Sequence, residues 1–369
     1  MNRPKILVTG ATGRTGAAVV AELLKAGYPV RAMVRREDAR AAALRAKGVD
    51  IAVAEITDME RVSAAMRGVQ RAYWLPPYDP EMLTGAAVFA TAAREARLEA
   101  IVSLSQWLAS PAHPAFLTRQ HWLADRLFAM LPDFALTIVN PGFFADSPYL
   151  ETIGMAAHLG VMPWMFGDSR TAPPSVDDIA RVAAAALMNP ERHAGRTYRP
   201  TGPTLLSGED MAGVLSRVFS RTVRLVPTPL WLFQKVAYLG GYSLALLGLM
   251  EHYNEEHRRG AFAIGAPNDD VVRVTGRPPE SFEAVARRLA ALPENRRSAA
   301  RTLREFARFM WLPFARVPSI RGYLRGLHIA APAAPQYSGE SAAWRREHGV
   351  TEAAFRASAA EPATLSPAA

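Results

Sequence analysis

Residues 8–16 read VTGATGRTG, and no other stretch restricts the fold of this chain as much. An apolar, β-branched run precedes them and an Ala/Leu-rich run follows, so Gly10, Gly13 and Gly16 sit between a strand and a helix. Each glycine has its own physical task. The first permits a tight turn, the second lets the backbone approach a pyrophosphate, and the third lets the helix pack close to the strand. Free N–H groups at the helix start then bind phosphates. The spacing is GxxGxxG and not GxGxxG, so the weight of the signal comes from its place after a strand and before a helix.

The surrounding pattern agrees. Runs at 5–10, 29–34, 49–54, 70–75, 99–104 and 134–139 read as strands, with helical patterns between them, for example at 14–26, 80–97 and 118–131. Strict alternation implies a parallel sheet covered by helices on both faces. The fold expected is α/β: a Rossmann-type, doubly wound parallel sheet over 1–140 that binds NAD(P). A smaller C-terminal α/β substrate-side region, 141–292, is intertwined with it, and a helical basic extension follows at 293–369. Residues 141–175 are rich in Gly, Pro and aromatics and read as loop and cleft lining. A helix starts near Ser175, which Ser175 or Asp177 can cap. The Ala/Pro-rich end of the chain reads as disordered.

Composition excludes several chemistries. There is no cysteine, so disulfides, thiolate catalysis and Cys-ligated metal centres are ruled out. Only four of the 43 basic residues are Lys, and residues 293–346 hold ten Arg and three Glu, which is +7 of the total +9. The main body is close to neutral, and no nucleic-acid partner is expected. The first residues run straight into a strand without the apolar core of a secretory signal, so the cytoplasm is the expected location.

The end of the second strand bears on the cofactor. An acid there suits the ribose hydroxyls of NAD, whereas Arg can hold the 2′-phosphate of NADP bidentately. This chain has Val34-Arg35-Arg36, and Arg14 in the glycine loop is expected to point to the same neighbourhood. NADP(H) is therefore expected in preference to NAD(H), against Glu37 and Asp38, which follow directly.

In order along the chain, VTGATGRTG, VRAMVRRED, EITD (55–58), AIVSLS, NPGFF (140–144), DDIARVAAAAL with HAGRTYRPTGP (177–203) and TGRPPESFEAVA (275–286) resemble the NmrA-like family of atypical short-chain dehydrogenase/reductases, in particular its quinone-reductase branch. The resemblance spans about residues 4–290. It implies that Gly10, Thr12, Gly13, Arg14, Thr15 and Gly16 cradle the dinucleotide and that Arg35, with Arg36, meets the 2′-phosphate. It places Glu55, Ile56 and Asp58 at the adenine, Leu75 and Pro76 beside the ribose, and Ser103 to Ser105 near the nicotinamide. Family members include reductases of quinones, azo dyes and other conjugated acceptors, and also redox sensors without known catalysis.

One departure changes the chemistry. Short-chain dehydrogenases use a Tyr-x-x-x-Lys pair as acid and pKa-lowering partner. In LTRQHWLAD the Tyr position is Leu117 and the Lys position is His121. Carbonyl reduction to an alcohol needs a proton on a nascent alkoxide, whereas the hydride adduct of a quinone is a stabilised phenolate that water can protonate. The expected activity is therefore NADPH-dependent hydride transfer to a small conjugated acceptor such as a quinone. The alternative is a non-catalytic NAD(P)-sensing regulator. His121 and Ser105 are the candidate catalytic residues, His121 as a neutral or protonated imidazole; the plainer reading packs His121 on its helix beside Trp122. Phe143, Phe144, Tyr149, Trp164 and Phe166 are candidate walls for a flat acceptor.

Two further stretches stand out. Residues 225–250 are strongly apolar but are interrupted by Gln234, Lys235 and Gly240-Gly241, so they read as two helical pieces and not as a span. EHYNEEHRR (251–259) reads as a solvated helix; no metal site is expected there, because His252 and His257 are off the i, i+4 register. Over 296–314, Arg297, Arg301, Arg304 and Arg308 fall on one side of a helix and Leu303, Phe306 and Met310 opposite, closed by Trp311, Pro313 and Phe314. Such a helix can lie in a membrane interface, or dock on the body or on a second subunit of an oligomer with its Arg face in water.

Overall fold

Ile6, Leu7 and Val8 are fully buried, as a strand covered by helices on both faces requires. In the computed structural model, which describes residues 3–132, 134–296 and 298–350, they form β1 (Ile6–Thr9). The other strands are β2 (Val30–Val34), β3 (Asp50–Val53), β4 (Arg71–Trp74), β5 (Ala100–Leu104), β6 (Ala135–Val139), β7 (Val161–Trp164), β8 (Arg196–Tyr198) and β9 (Arg224–Pro227). Seven of them make one sheet in the order β3-β2-β1-β4-β5-β6-β8, and every pair is parallel. The strand order reverses between β1 and β4, which is where a doubly wound sheet opens a crevice at its carboxyl edge.

Helices Arg14–Lys25, Ala39–Arg45 and Val176–Met188 bury their apolar stripes on one face of the sheet. Helices Met59–Met66, Met82–Glu95 and Phe116–Ala129 cover the other. Because β8 and the helix Val176–Met188 come from beyond residue 141, the second part of the chain completes the sheet begun by the first. Ser175 caps that helix by accepting the Asp178 N–H.

Residues 141–175 are more regular than expected. They contain the helix Ile153–Leu159 and β7, which pairs with β9 in a separate two-stranded sheet. That partner lies far along the chain, so the local composition carried no sign of it. A second core, built from Phe143, Tyr149, Trp164, Phe166, Phe262 and Trp344 among others, fills this part of the molecule.

The apolar stretch does divide in two, into Leu230–Leu239 and Leu244–Arg258, with Gly241 at φ +92° in the break. No helix among the described residues is long and apolar enough to cross a membrane. The charged end of the second helix is not solvated as expected. Tyr253, Glu256 and His257 are buried, Glu256 and His257 completely; the segment around Ser338 folds back over Glu256, and Tyr149, Ser169 and Phe166 enclose His257. Ser338 donates its N–H to Glu256 Oε1 at 2.5 Å, and Trp344 donates its indole N–H to the Trp107 carbonyl at 2.8 Å.

The basic helix forms as Ala299–Trp311. Its bulky apolar residues do not dock on the body: Leu303, Phe306, Met310, Trp311 and Phe314 are all exposed. The Ala/Pro-rich end, residues 351–369, and Arg297 lie outside the described residues, as does the side chain of Arg308.

Candidate active site

The glycine loop has the geometry its sequence implies. Gly10 has φ +59°, and a Cβ there would lie 2.6 Å from Leu75 Cδ2. A Cβ on Gly16 would lie 2.2 Å from the Gly10 carbonyl oxygen, so the helix can approach β1 only as glycine. Gly13 differs, since its Cβ would meet nothing but the Gly10 oxygen at 3.2 Å. Its outer side is open to an incoming group. Gly13 is also the N-cap of the helix Arg14–Lys25 and offers no side-chain cap, so the first helical N–H groups remain available for an anion. Thr9 ties this loop to the neighbouring strand end. Its hydroxyl accepts the Leu75 N–H at 2.7 Å and lies 3.2 Å from the Tyr73 carbonyl.

Beside the loop, at the reversal of strand order, lies a cavity of about 210 Å³. Its walls are mostly apolar, from Leu75, Pro76, Leu104, Phe143, Phe144 and Leu249. Three polar atoms on its lining residues are buried without a hydrogen-bond partner: His121 Nε2, Gln106 Nε2 and Tyr253 Oη. Burial drives the His121 pKa down to about 3, which favours the neutral imidazole over the protonated one.

Ser105 reaches the cavity, and Ser103 does not. Both bind Asp125 from the helix below, Ser105 Oγ at 2.5 Å and Ser103 Oγ at 3.4 Å. Ser103 is therefore a support behind the site. Asp125 is one helical turn beyond His121, and burial, opposed by these hydrogen bonds, raises its pKa to about 7. Three of the lining residues meet on Glu151, which accepts hydrogen bonds from Arg14 at 3.0 Å, Ser147 at 3.1 Å and the Tyr242 hydroxyl at 2.5 Å.

Of the proposed aromatic walls, Phe143 and Phe144 line this cavity. Tyr149, Trp164 and Phe166 do not; they belong to the second core. Tyr149 stacks on Trp164 and Phe166 stacks on His257, while the Tyr149 hydroxyl bonds His257 Nε2 at 2.8 Å. Their rings find aromatic partners there, so they face one another and not the cavity. Among the described residues there is no cluster of three His, Cys, Asp or Glu that could hold a metal ion.

Known proteins place this architecture. The NmrA-like family matches residues 2–115. NAD(P)H azoreductase of Xenophilus azovorans is 31% identical over 295 residues, covering 78% of this chain and 98% of its own length. The chain belongs to the NmrA-like family. A Streptomyces griseus (4-alkanoyl-5-oxo-2,5-dihydrofuran-3-yl)methyl phosphate reductase is 31% identical over 280 residues, 75% of this chain and 95% of its own. An Escherichia coli NADPH-dependent quinone oxidoreductase, solved with NADPH, shares the fold at a TM-score of 0.66. Its identity is 22% over 77% of this chain and 99% of its own.

Against the family pattern, the expected dinucleotide contacts divide into free and occupied groups. Arg35 is exposed, and no acid pairs with it among the described residues. The two acids that follow are engaged elsewhere, Asp38 as N-cap of Ala39–Arg45 and partner of Arg40, and Glu37 on Arg45. Arg36 is exposed, with Asp38 4.0 Å away. Arg14 does not join Arg35. Its guanidinium crosses to Glu151, because that carboxylate is within reach and otherwise faces only hydroxyls. Glu55 is exposed and Ile56 is half-buried, close enough to Gly85 that a Cβ there would sit 2.9 Å from Ile56 Cγ2. Asp58 caps the helix Met59–Met66 through the Arg61 N–H. Leu117, at the Tyr position, is buried.

Sequence reasoning missed Thr9, Gln106, Glu151, Tyr242 and Tyr253. It assigned no role to Asp125. Its spacing of four from a candidate catalytic residue on the same helix face was the available signal.

Proposed function

We propose that the protein is an NADPH-dependent reductase of small, flat, conjugated acceptors of the quinone or dye type. The observation that carries this reading is the set of three partnerless polar atoms, on His121, Gln106 and Tyr253, around an apolar cavity beside the glycine loop. Buried polar groups are ordinarily satisfied, so these are groups that a ligand would satisfy. The loop fits a pyrophosphate through the open side of Gly13, and unpaired Arg35 fits a 2′-phosphate. When bound, NADPH supplies the hydride. On this reading residues 1–140 hold the dinucleotide, 141–292 shape the acceptor side, and 293–369 are an addition to the reductase.

The chain's own part is positioning and proton placement. Neutral His121 stands where the wider dehydrogenase class has Lys and would hydrogen-bond the nicotinamide ribose or the acceptor. Ser105 depends on Asp125. When Asp125 is ionised, the Ser105 hydroxyl donates to it and presents only lone pairs to the cavity. When Asp125 is protonated, it can donate to Ser105, which frees the Ser105 O–H for a carbonyl oxygen. Acceptor reduction should therefore be favoured below pH 7.

Fluorescence titration tests the cofactor. NADPH should bind more tightly than NADH, and Arg35→Ala should weaken NADPH by about tenfold or more, with little change for NADH. If Arg35→Ala affects neither, the 2′-phosphate assignment is wrong; if neither nucleotide binds, the reductase reading falls. Turnover of a quinone panel then tests the acceptor side. Its kcat/KM should decline as pH rises through about 7, and Asp125→Asn should flatten that profile, because an amide donates to Ser105 at every pH. NADPH binding without turnover of any acceptor would point to the sensor instead.

A further inference from the structure

The extension lies beyond the span of the resemblance, and its helix Ala299–Trp311 has two faces with different fates. On the inner side Arg301, Thr302 and Glu305 are half-buried, and Leu312 just beyond the helix is buried. Glu305 and Leu312 close a cavity of about 330 Å³ against the helices Ile153–Leu159 and Leu230–Leu239. The outer side is left in water with Leu303 at 69% exposure, Phe306 at 51%, Met310 at 56%, Trp311 at 59% and Phe314 at 79%. Helix Leu230–Leu239 packs on the 312–314 turn and itself exposes Trp231 and Leu239, with the Lys235 ammonium 5.3 Å from the Trp231 ring centroid. Isolated exposed apolar residues need no explanation, but a run of five on one short segment does.

We propose that this face docks the protein on the surface of an anionic lipid bilayer. Charge selects the occupant. From 296 to 325 the sequence has eight arginines and a single acid, Glu305, and Arg296, Arg304 and Arg316 are exposed around the apolar residues. A helix with bulky apolar residues on one face and Arg beside it buries that face at the acyl boundary while its guanidinium groups meet lipid phosphates. Trp311 and Trp231 suit the headgroup level. A second copy is a poor occupant, since a two-fold contact would set this cationic segment against itself. Residues 351–369 are a poor one too, because Phe355 and Leu365 are their only large apolar side chains.

Vesicle flotation of the full chain tests this. The protein should float with phosphatidylcholine vesicles that contain phosphatidylglycerol, should float little with phosphatidylcholine alone, and should be released by salt. The double variant Leu303→Gln/Phe306→Gln should lower the bound fraction by about tenfold or more, and Arg304→Glu should lower it less. Circular dichroism of each variant separates lost docking from lost folding. Absence of flotation with the anionic vesicles overturns the proposal, as does equal flotation of the folded double variant. So does a wild-type dimer in light scattering that the double variant converts to monomer, which would make the face an interface between copies.

Discussion

Helices Leu244–Arg258 and Ala299–Trp311 place polar and apolar residues in opposite senses. The first ends in EHYNEEHRR, and Glu256 and His257 go to the interior. The second carries LREFARFMW, and Leu303, Phe306, Met310 and Trp311 go to solvent. In the first, Glu256 and His257 are met by other parts of the chain. His113 Nδ1 accepts the Ala115 N–H, so its ring proton lies on Nε2 and is donated to Glu256 Oε1 at 3.2 Å, where the Ser338 N–H also arrives. His257 is satisfied by Tyr149 and Ser169, and burial drives its pKa to about 3, so it enters the core uncharged. In the second helix nothing in the described chain arrives to cover the apolar face. Burial follows the available partners, and polarity alone predicts it poorly.

Three substitutions would break or sharpen this contrast. Glu256→Ala should have the largest effect, about 3 kcal/mol or more of lost stability, because it strands the His113 and Ser338 N–H groups and opens a cavity. Urea denaturation measures it, and a loss below about 0.5 kcal/mol, the range of ordinary surface changes, would mean that the helix end is solvated after all. Glu256→Gln keeps the shape and one acceptor, and should lose less, about 1 kcal/mol, in the same assay. Leu303→Gln/Phe306→Gln should change stability least, within about 0.5 kcal/mol. A large loss there would show that the apolar face is covered within the monomer and would remove the basis for bilayer docking.

Much of the first half of the molecule was legible because its signals are local. All six expected strands of the sheet form within one or two residues of their expected ends, since a β-branched run between helical runs has few other folds open to it. The glycine loop was legible for the same reason, as Gly10 and Gly16 answer to contacts within a few residues or on the adjacent strand. The cavity was only partly legible. His121, Ser105, Leu75 and Pro76 could be placed by motif, but Gln106, Tyr242 and Tyr253 had no motif to mark them. Tyr253 supplies a buried hydroxyl to a site whose usual tyrosine position is Leu117, from a helix more than a hundred residues later.

By itself the sequence determined the parallel sheet, its phosphate loop, the absence of thiol chemistry and the loss of the Tyr-x-x-x-Lys pair, because these depend on residue type and short spacing. Tertiary structure alone decided that Arg14 turns to Glu151, that Tyr149, Trp164 and Phe166 are core, and that Ser105 bonds to Asp125. It also decided which charged helix is buried and which apolar helix is left in water. Each of those outcomes rests on a partner brought from far along the chain, and a hydrogen bond or an apolar contact acts over a few ångströms in space whatever the separation in sequence.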